Sequence, residues 1–480
     1  MKKLFAVLLA ITLVLAMGTM AFAADDGTIT ITNAFDGAEY KIYKMLDFVP
    51  SNTTGDKGIY TIEPDWEDFF EKAPATDYFT LVTNADQKTV TLKEGVTQVD
   101  QTLAKSAIDY AKENNITATK TATASGEKVE FTGLDLGYYA IDTSLGTLCA
   151  LTNTNSDFTA TEKNEKPDID KEVQEDRDGS WGKVNDADVD QVVNYKSTIT
   201  VGVGATNYVM HDTMTEGLTF DPNSVVVKLA DGTVVDAANY TVVADPVDGH
   251  TFDVQFANAF IEGLAKGTQF TVYYSATLND KAIIVEAGND NTVYLSYGED
   301  HEWKTAEHKT TTYTWKMDVL KYTMDGNQKV NLAGAVFQLL DKDGNAIKFT
   351  EVTGADVPTY KVDAEGTITK ITTDENGKFE LVGLDEGTYY IHEDAAPEGY
   401  NKLAQDLEVV ITSEHNDNDR TASYKINDAD PATIEVENKT GGLFPETGGI
   451  GTTIFYIVGA LLMLAAVVFL VSKKRMASFA

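Results

Sequence analysis

Alternation of apolar and polar residues predicts β-strands over most of the chain. The clearest segments carry β-branched and aromatic residues at every second position, as expected for strands with one buried face. These segments are residues 191–201, 251–256, 268–277 and 291–297. Turn residues separate them at roughly strand-length intervals, a spacing typical of β-sandwiches rather than of alternating strands and helices. Helical periodicity is confined to residues 65–72 and 99–113, so we expect an all-β protein whose first domain carries short helical insertions.

The two ends of the chain are apolar. Residues 4–20 follow a basic start and precede the small-residue sequence at 21–23, a pattern typical of a secretory signal peptide over residues 1–23. A second membrane helix is the alternative. The run at 450–471 is about 22 residues long, which as a helix at about 1.5 Å per residue spans a bilayer core of roughly 30 Å. A basic cluster at 473–475 is expected to stay in the cytoplasm, which leaves the preceding chain outside.

A short motif precedes the C-terminal apolar run. It consists of Phe444, Pro445, Glu446, Thr447 and Gly448. The motif resembles the sorting signal of Gram-positive surface proteins, which the transpeptidase sortase cleaves between Thr and Gly before joining the Thr carbonyl to an amine. The alternative is a surface turn followed by an ordinary membrane anchor. The order of motif, apolar run and basic cluster favours the sorting signal, predicted over residues 443–480, with the protein anchored to the bacterial cell wall.

Charge and composition exclude several function classes. With 38 basic and 75 acidic residues the formal charge is −37, so the chain has no basic surface with which to bind nucleic acid. The single cysteine excludes an intramolecular disulfide. We find no phosphate-binding loop and no nucleophile–His–Asp pattern, and the six histidines are too scattered along the sequence to suggest zinc. The sequence therefore predicts a protein that is not an enzyme and has neither a cofactor nor a metal site.

A loose internal repeat helps to place domain boundaries. Residues 131–141 and 381–391 share a Gly-Leu-Asp-x-Gly turn that runs into a tyrosine-rich strand, and each is expected late in its domain. The polar stretch at 161–168 and the stretch at 298–312 are the predicted linkers. We therefore expect domains at 24–162, 163–305 and 312–442.

Lysines and asparagines recur at corresponding places in the second and third domains. Each domain opens with a strand that carries a lysine, Lys171 or Lys321, and closes on a strand with an asparagine, Asn291 or Asn438. Between them lie the segments 211–220 and 390–400, which contain the acids Asp212 and Glu393. This arrangement resembles the sortase-assembled backbone pilins of Gram-positive bacteria, whose tandem Ig-like domains form Lys–Asn isopeptide bonds. The Glu-x-Ala-Ala-Pro-x-Gly-Tyr string at 393–400 resembles the acid-bearing strand of collagen-adhesin B-type domains.

The resemblance implies two intramolecular bonds, Lys171–Asn291 with Asp212 as acid and Lys321–Asn438 with Glu393 as acid. A lysine buried in an apolar core loses its proton readily and becomes a nucleophile, and a buried carboxylic acid can shuttle protons as ammonia leaves. Folding supplies the proximity, so no enzyme is required. The alternative is that the lysines are solvated and that the acids belong to turns or ion pairs.

The same resemblance implies a further lysine as the site of intersubunit linkage to Thr447. In backbone pilins it lies in a motif ending Tyr-Pro-Lys near the end of the first domain. Lys163 occupies that place here without the Tyr-Pro, so Lys166 and a chain with no such lysine remain alternatives. The first domain could hold another pair between the 40–44 and 151–155 segments, but no acid is evident and no assignment follows.

These features predict a structural subunit of a covalent surface pilus. The implied partners are sortase, identical subunits and peptidoglycan, with accessory pilins and host surface ligands as further candidates. Two alternatives remain open at this point: a monomeric wall-anchored adhesin built from the same domains, and a wall-bound enzyme within the first domain.

Overall fold

The structure is a computed structural model that describes residues 27–51, 58–84, 87–96, 99–144, 146–153, 158–285, 287–430, 433–440 and 450–477. The predicted signal peptide and the sorting motif at 444–448 lie outside these ranges. The described chain is dominated by antiparallel strands that form three successive units of two sheets each, followed by one helix. The predicted all-β class is confirmed.

The first unit contains ten strands and three helices. Its strands are β1 (Gly27–Thr32), β2 (Glu39–Pro50), β3 (Gly58–Ile62), β4 (Phe79–Asn84), β5 (Gln87–Leu92), β6 (Lys120–Thr123), β7 (Lys128–Leu134), β8 (Gly137–Thr143), β9 (Gly146–Asn153) and β10 (Phe158–Thr161). One sheet has the order β10-β1-β7, and the other has the order β4-β5-β3-β2-β8-β9 with β6 also paired to β2. The helices are α1 (Glu67–Phe70), α2 (Ala75–Tyr78) and α3 (Gln101–Glu113), with a short 3-10 turn at Pro64–Trp66. The predicted helical insertions are thus present, although the first is shorter than expected.

The second unit is a sandwich of thirteen strands. They are β11 (Asp168–Gln174), β12 (Trp181–Gly182), β13 (Val184–Asp186), β14 (Val192–Thr200), β15 (Val209–Met214), β16 (Leu218–Phe220), β17 (Val226–Leu229), β18 (Tyr240–Ala244), β19 (Phe252–Phe256), β20 (Gln269–Leu278), β21 (Asn289–Tyr297), β22 (Trp303–Lys304) and β23 (His308–Tyr313). One sheet has the order β12-β11-β14-β20-β16 with β17 on β20. The facing sheet has the order β13-β23-β21-β15-β19-β18 with β22 on β21. One short helix, α4 (Asn258–Glu262), and 3-10 turns at Ala237–Asn239 and Glu299–His301 complete the unit.

The third unit has eleven strands. They are β24 (Trp315–Asp325), β25 (Gln328–Asn331), β26 (Val336–Leu340), β27 (Phe349–Val352), β28 (Thr359–Val362), β29 (Ile371–Thr372), β30 (Lys378–Leu384), β31 (Gly387–Ala395), β32 (Leu407–Asn416), β33 (Thr421–Ile426) and β34 (Ile434–Glu437). One sheet has the order β25-β24-β30-β28-β27, with the last strand β34 paired in parallel to the first strand β24. The other sheet has the order β29-β26-β31-β32-β33.

The internal repeat marks the place where the chain crosses between sheets. In the first unit the crossing joins β7 to β8, and in the third it joins β30 to β31. The glycine of each turn, Gly133 or Gly383, has a positive φ, and the tyrosine two residues into the following strand donates a 2.9 Å hydrogen bond back to the turn carbonyl. A Cβ on Gly383 would also lie 2.8 Å from Val189 of the second unit. The shared motif therefore forms the same kind of turn between sheets in both units.

The stretch at 298–312 differs from its prediction as a linker. It contains β22 and β23, which pair with β21 inside the second unit. The second unit therefore continues through Tyr313, beyond the expected boundary at 305. Charged residues interrupt the apolar alternation in this stretch, which explains why its strands are hard to see in the sequence.

A C-terminal helix, α5 (Ile450–Ala477), covers the predicted apolar run. Within the described residues it is the one helix long and apolar enough to cross a membrane, with a mean hydropathy of 2.2 over Tyr456–Lys473 and none of that window buried against protein.

Buried carboxyl groups meet where the second and third units touch. The Asp385 backbone N–H donates a 2.8 Å hydrogen bond to Asp188 Oδ1, and the Ser413 hydroxyl and the His415 ring bind the two carboxylate oxygens of Asp186 at 2.5 and 2.9 Å. Burial raises the pKa of Asp188 to about 6, that of Glu175 to about 7 and that of Asp385 to about 9. The neighbouring charged groups are Asp176, Arg177, Asp186, Glu386 and His415.

These raised pKa values make the contact sensitive to pH. Between the ordinary aspartate pKa near 4 and the raised folded values, the folded state holds protons that the unfolded chain has released. Stability therefore falls as pH rises through this window, by up to about 1.4 kcal/mol per pH unit for each group. His415 affects stability in the same direction. Burial lowers its pKa, but the contact with Asp186 outweighs burial, so the pKa of His415 is raised above its ordinary value.

We predict that the calorimetric melting temperature of the third unit falls between pH 5 and pH 8, and that Asp385→Asn flattens this dependence. The exposed Asp343→Asn is the matched control and should leave the slope unchanged. A melting temperature that rises with pH, or an equal slope in Asp385→Asn, would contradict this account.

Candidate isopeptide-forming sites

The first candidate site lies between the two sheets of the second unit. Strand alternation along β11 turns Ile169, Lys171 and Val173 inward, so a lysine occupies a core position and is fully buried. Asp212 of β15 and Asn291 of β21 lie on adjacent strands of the facing sheet and are also fully buried. The lysine and the asparagine thus come from opposite sheets.

A tyrosine connects the three predicted residues of this site. Lys171 Nζ lies 2.5 Å from Asp212 Oδ2 and also donates to the Tyr274 hydroxyl. That hydroxyl donates to Asp212 Oδ2 at 2.6 Å and accepts from Asn291 Nδ2 at 3.5 Å. The structure therefore brings the lysine, acid and asparagine into one connected group.

Burial favours the neutral forms of the reacting groups. Removal from water lowers the pKa of Lys171 to about 8 and raises the pKa of Asp212 above its ordinary value. The Lys171 ammonium group lies over the rings of Tyr195 and Tyr274, at 5.4 and 4.9 Å from their centroids. An amine with a lowered pKa beside an acid with a raised pKa is the combination that amide chemistry at a buried lysine needs.

The second candidate site lies in the third unit and has a different geometry. Lys321 of β24 and Asn438, directly after β34, lie on neighbouring parallel strands of one sheet, where the Asn438 backbone N–H donates to the Tyr322 carbonyl at 2.9 Å. Glu393 comes from β31 in the facing sheet. All three predicted residues are at most 1% exposed.

Glu393 lies between the other two residues of this site. Its Oε1 is 3.0 Å from Lys321 Nζ, and its Oε2 accepts hydrogen bonds from Asn438 Nδ2 at 2.9 Å and from the Leu403 backbone N–H at 2.7 Å. Burial lowers the pKa of Lys321, whose Nζ lies 5.5 Å from the centroid of the Phe337 ring.

Both asparagines have an unsatisfied carbonyl oxygen. Within the described ranges, Oδ1 of Asn291 and Oδ1 of Asn438 accept no hydrogen bond although both are buried. An unpaired buried acceptor costs about 1–3 kcal/mol. Each is the oxygen that gains negative charge when an amine attacks the side-chain amide. A protonated carboxylic acid beside this oxygen would stabilise that charge by donating a hydrogen bond.

The predicted intersubunit lysines lie at the boundary of the first two units. Lys163 is partly buried, and its backbone N–H donates to Glu162 Oε1 at 2.8 Å. The side chain of Lys166 is exposed and its Nζ lies over the rings of Phe35 and Trp303, at 5.1 and 5.5 Å. Thr447 lies outside the described residues, as does the rest of its motif.

The first unit shows no comparable group among its described residues. Lys41 pairs with Glu39 at the surface, and Lys44 contacts three carboxylates, Asp47 at 2.6 Å, Asp135 at 3.3 Å and Glu63 at 3.5 Å. Of the asparagines considered in the sequence, Asn155 lies outside the described residues and only the backbone of Asn153 is described.

Sequence reasoning missed Tyr274. It is one of 22 tyrosines, and strand alternation in β20 shows only that it faces inward together with Val272 and Ala276. Its position beside Lys171, two strands away in the same sheet, follows from the strand order β11-β14-β20, which cannot be read from local sequence patterns.

Comparison with known protein families matches three parts of the chain. Residues 183–301 match the Gram-positive pilin backbone subunit 2, Cna-B-like domain. Residues 317–430 match the SpaA prealbumin-like fold domain, and residues 437–478 match the LPXTG cell wall anchor motif. The anchor match and the apolar helix α5 support the expected location at the cell wall.

Individual relatives are distant. The trypsin-resistant surface T6 protein of Streptococcus pyogenes serotype M6 is 26% identical over 344 residues, which cover 57% of this chain and 62% of that protein. Serine-aspartate repeat-containing protein F of Staphylococcus epidermidis is 27% identical over 366 residues, covering 72% of this chain and 18% of that protein. The chain thus spans less than two thirds of the length of these relatives.

A solved structure shares the fold. The T6 backbone pilin of serotype M6 Streptococcus pyogenes, described as a modular three-domain structure, superposes with a TM-score of 0.52 at 17% identity, covering 88% of this chain and 100% of that one. The chain therefore carries a domain that matches the Gram-positive pilin backbone family, a prealbumin-like domain and an LPXTG cell-wall anchor, and it shares its fold with a Gram-positive backbone pilin.

Proposed function

We propose that this protein is a structural subunit of a covalently polymerised surface pilus, in which each subunit is stapled internally by Lys–Asn isopeptide bonds. The observation that carries the proposal is the pair of buried lysine–acid–asparagine groups, one in the second unit and one in the third. Ordinary sandwich cores avoid lysine, and two groups that each combine a buried lysine, a carboxylic acid and an asparagine are difficult to explain as packing alone.

Bond formation would proceed in the same way at both sites. The neutral lysine Nζ attacks Cγ of the asparagine while the acid donates a proton to Oδ1. The new Nζ–Cγ bond forms, and a proton of the lysine nitrogen passes through the acid to Nδ2. As the Cγ–Nδ2 bond then breaks, ammonia leaves and Oδ1 returns its proton to the acid. The acid returns to its starting state, so the reaction needs no cofactor. In the second unit, Tyr274 holds Lys171 and Asp212 together as a positioning residue.

The two bonds would constrain different parts of their domains. Lys321–Asn438 would join the first and last strands of the third unit, which are parallel neighbours. Lys171–Asn291 would instead tie one sheet of the second unit to the other. On the chain-entropy model used for disulfides, closing loops of about 120 residues stabilises each domain by roughly 5 kcal/mol.

The proposed domain boundaries keep each lysine–acid–asparagine group within one domain. The first domain runs over 24–162, and the second begins at 163 and extends through Tyr313, so that β22 and β23 belong to it. The third covers 315–442, and the sorting signal occupies 443–480. Sortase would cleave after Thr447 and join its carbonyl to a lysine amine of the next subunit.

Lys163 is the proposed acceptor amine. It lies at the junction of the first two domains, and among the described residues no carboxylate forms an ion pair with its amine, whereas three surround that of Lys44. Lys166 is the alternative, since its side chain is more exposed, but the Phe35 and Trp303 rings hold its ammonium group.

Intact-mass measurement tests the staples. We predict that the processed wild-type chain is lighter than its sequence mass by two ammonia molecules, and that Glu393→Gln and Asp212→Asn each restore one. Each variant should also lose roughly 5 kcal/mol of stability in its own domain, since the covalent loop is open.

Asp394→Asn is the matched control, because Asp394 follows Glu393 directly but pairs with Lys370 at the surface. It should keep both mass deficits. A wild-type mass equal to the sequence mass would exclude the bonds altogether.

Denaturing gels of cell-wall extracts test the intersubunit linkage. We predict a ladder of boiling-resistant multimers for wild type, and wall-anchored monomer alone for Lys163→Ala, with both mass deficits retained. Thr447→Ala should abolish the ladder and wall attachment together, and Lys166→Ala should leave the ladder intact.

The other outcomes are equally informative. Loss of the ladder in Lys166→Ala alone would move the acceptor amine to that residue. A single wild-type band would favour the monomeric adhesin over the pilus subunit.

A further inference from the structure

Two histidines and two aspartates converge on the outer face of the second unit, on the side of β15 opposite Asp212. These residues, the histidine–aspartate cluster, are His211, Asp248, His250 and Asp253. Sequence patterns do not group these residues, because the two histidines are separated by 39 positions and meet only when the turn between β18 and β19 folds over β15. The six histidines are scattered along the sequence, and two of them meet only in the fold, so sequence spacing did not identify this group.

The strand register builds one side of the cluster. His211 lies opposite Asp253 of β19 and Tyr294 of β21, so the three side chains form a row across three adjacent strands. The β18–β19 turn adds Asp248 and His250 from above. Asp253 and His211 are largely buried, with side chains 7% and 12% exposed.

The ligand atoms have the separations of a tetrahedral site. His211 Nδ1 lies 2.8 Å from Asp253 Oδ1 and 3.2 Å from His250 Nδ1. His250 Nδ1 lies 3.5 Å from Asp253 Oδ1 and 2.9 Å from Asp248 Oδ1. Asp248 Oδ2 lies 3.9 Å from His211 Nδ1. A tetrahedral zinc with bonds of about 2.0–2.1 Å separates its ligand atoms by roughly 3.3 Å, which is the middle of this range.

The outer nitrogens of both histidines are already occupied. His211 Nε2 lies 2.8 Å from Ser296 Oγ, and His250 Nε2 lies 3.2 Å from the Tyr294 hydroxyl. When each Nε2–H donates to its hydroxyl partner, both Nδ1 lone pairs point into the cluster. Two lone pairs 3.2 Å apart repel each other unless a cation lies between them, and hydroxyl partners of this kind fix the tautomer of metal-bound histidines.

We propose that the histidine–aspartate cluster binds one divalent transition-metal ion, of which zinc fits the two-nitrogen, two-carboxylate donor set best. Two carboxylates and two neutral imidazoles compensate the charge of such an ion. The bound metal would pin the β18–β19 turn to β15, where the Thr251 backbone N–H also donates to the Asp212 carbonyl at 2.8 Å. It would act as a second, non-covalent staple of this domain, independent of the isopeptide bond.

Metal titration of the full chain, purified in detergent and stripped with EDTA, tests the proposal. Calorimetry should show one Zn²⁺ bound per chain at this cluster, and Co²⁺ should give the intense visible absorption of a tetrahedral site. His250→Ala and Asp248→Ala should each weaken Zn²⁺ binding by at least about tenfold, and Tyr294→Phe, which removes only the hydroxyl partner, by about tenfold. Zn²⁺ should raise the melting temperature of the wild type and not that of His250→Ala.

Two variants serve as controls. His392 pairs with Asp406 at 2.7 Å and contacts Lys402 at 3.5 Å, and His415 lies with Glu175 and Asp186 in the only other group of potential ligands among the described residues. His392→Ala and His415→Ala should leave this binding unchanged. Zn²⁺ binding that is absent from the wild type, or that survives in His250→Ala and disappears in His415→Ala, would overturn the proposal. An unchanged far-UV spectrum and mass deficit in each variant show that the fold is retained.

Discussion

The structure depends on how two lysine side chains are accommodated inside sandwich cores. An ammonium group without water is strongly destabilised, so a buried lysine requires a partner, a lowered pKa or a covalent bond. Lys171 and Lys321 each have an acid within 3.0 Å and at least one aromatic ring beside the amine. Conversion of each amine to an amide would remove the buried charge permanently, and we infer that these cores are built for that product.

The placement of the two groups bears on how a fibre would carry load. In the third unit the chain enters through β24 and leaves after β34, so a bond between Lys321 and Asn438 would let force pass along the covalent chain. In the second unit the proposed bond ends at Asn291, and β23 follows it. Force on the C-terminal side would therefore act first on β23, which is held by its pairing to β13 and β21. The histidine–aspartate cluster lies in this second unit, and the buried carboxyl groups around Asp186 and Asp385 lie where it contacts the third unit.

Local sequence patterns predicted much of this architecture. The features that they missed depend on which distant segments become neighbours in the fold. Period-two alternation identified the strands that became β14, β19, β20 and β21, and motif order selected three residues for each candidate group that the structure then brings together. Tyr274, the histidine pair and the strands at 303–313 were not found. Each depends on which strands become neighbours or on how a turn folds over a sheet, and neither is encoded within one segment. The choice of acceptor lysine and the two Lys–Asn bonds remain predictions, because contact between side chains does not show that they have reacted.

Peptide mapping by tandem mass spectrometry tests the central claim most directly. Digestion of the processed protein should yield a branched peptide in which Lys321 is joined to Asn438, and a second in which Lys171 is joined to Asn291, each with the fragment masses of an amide bond formed with loss of ammonia. Recovery of the four residues only in separate, linear, unmodified peptides would contradict the account.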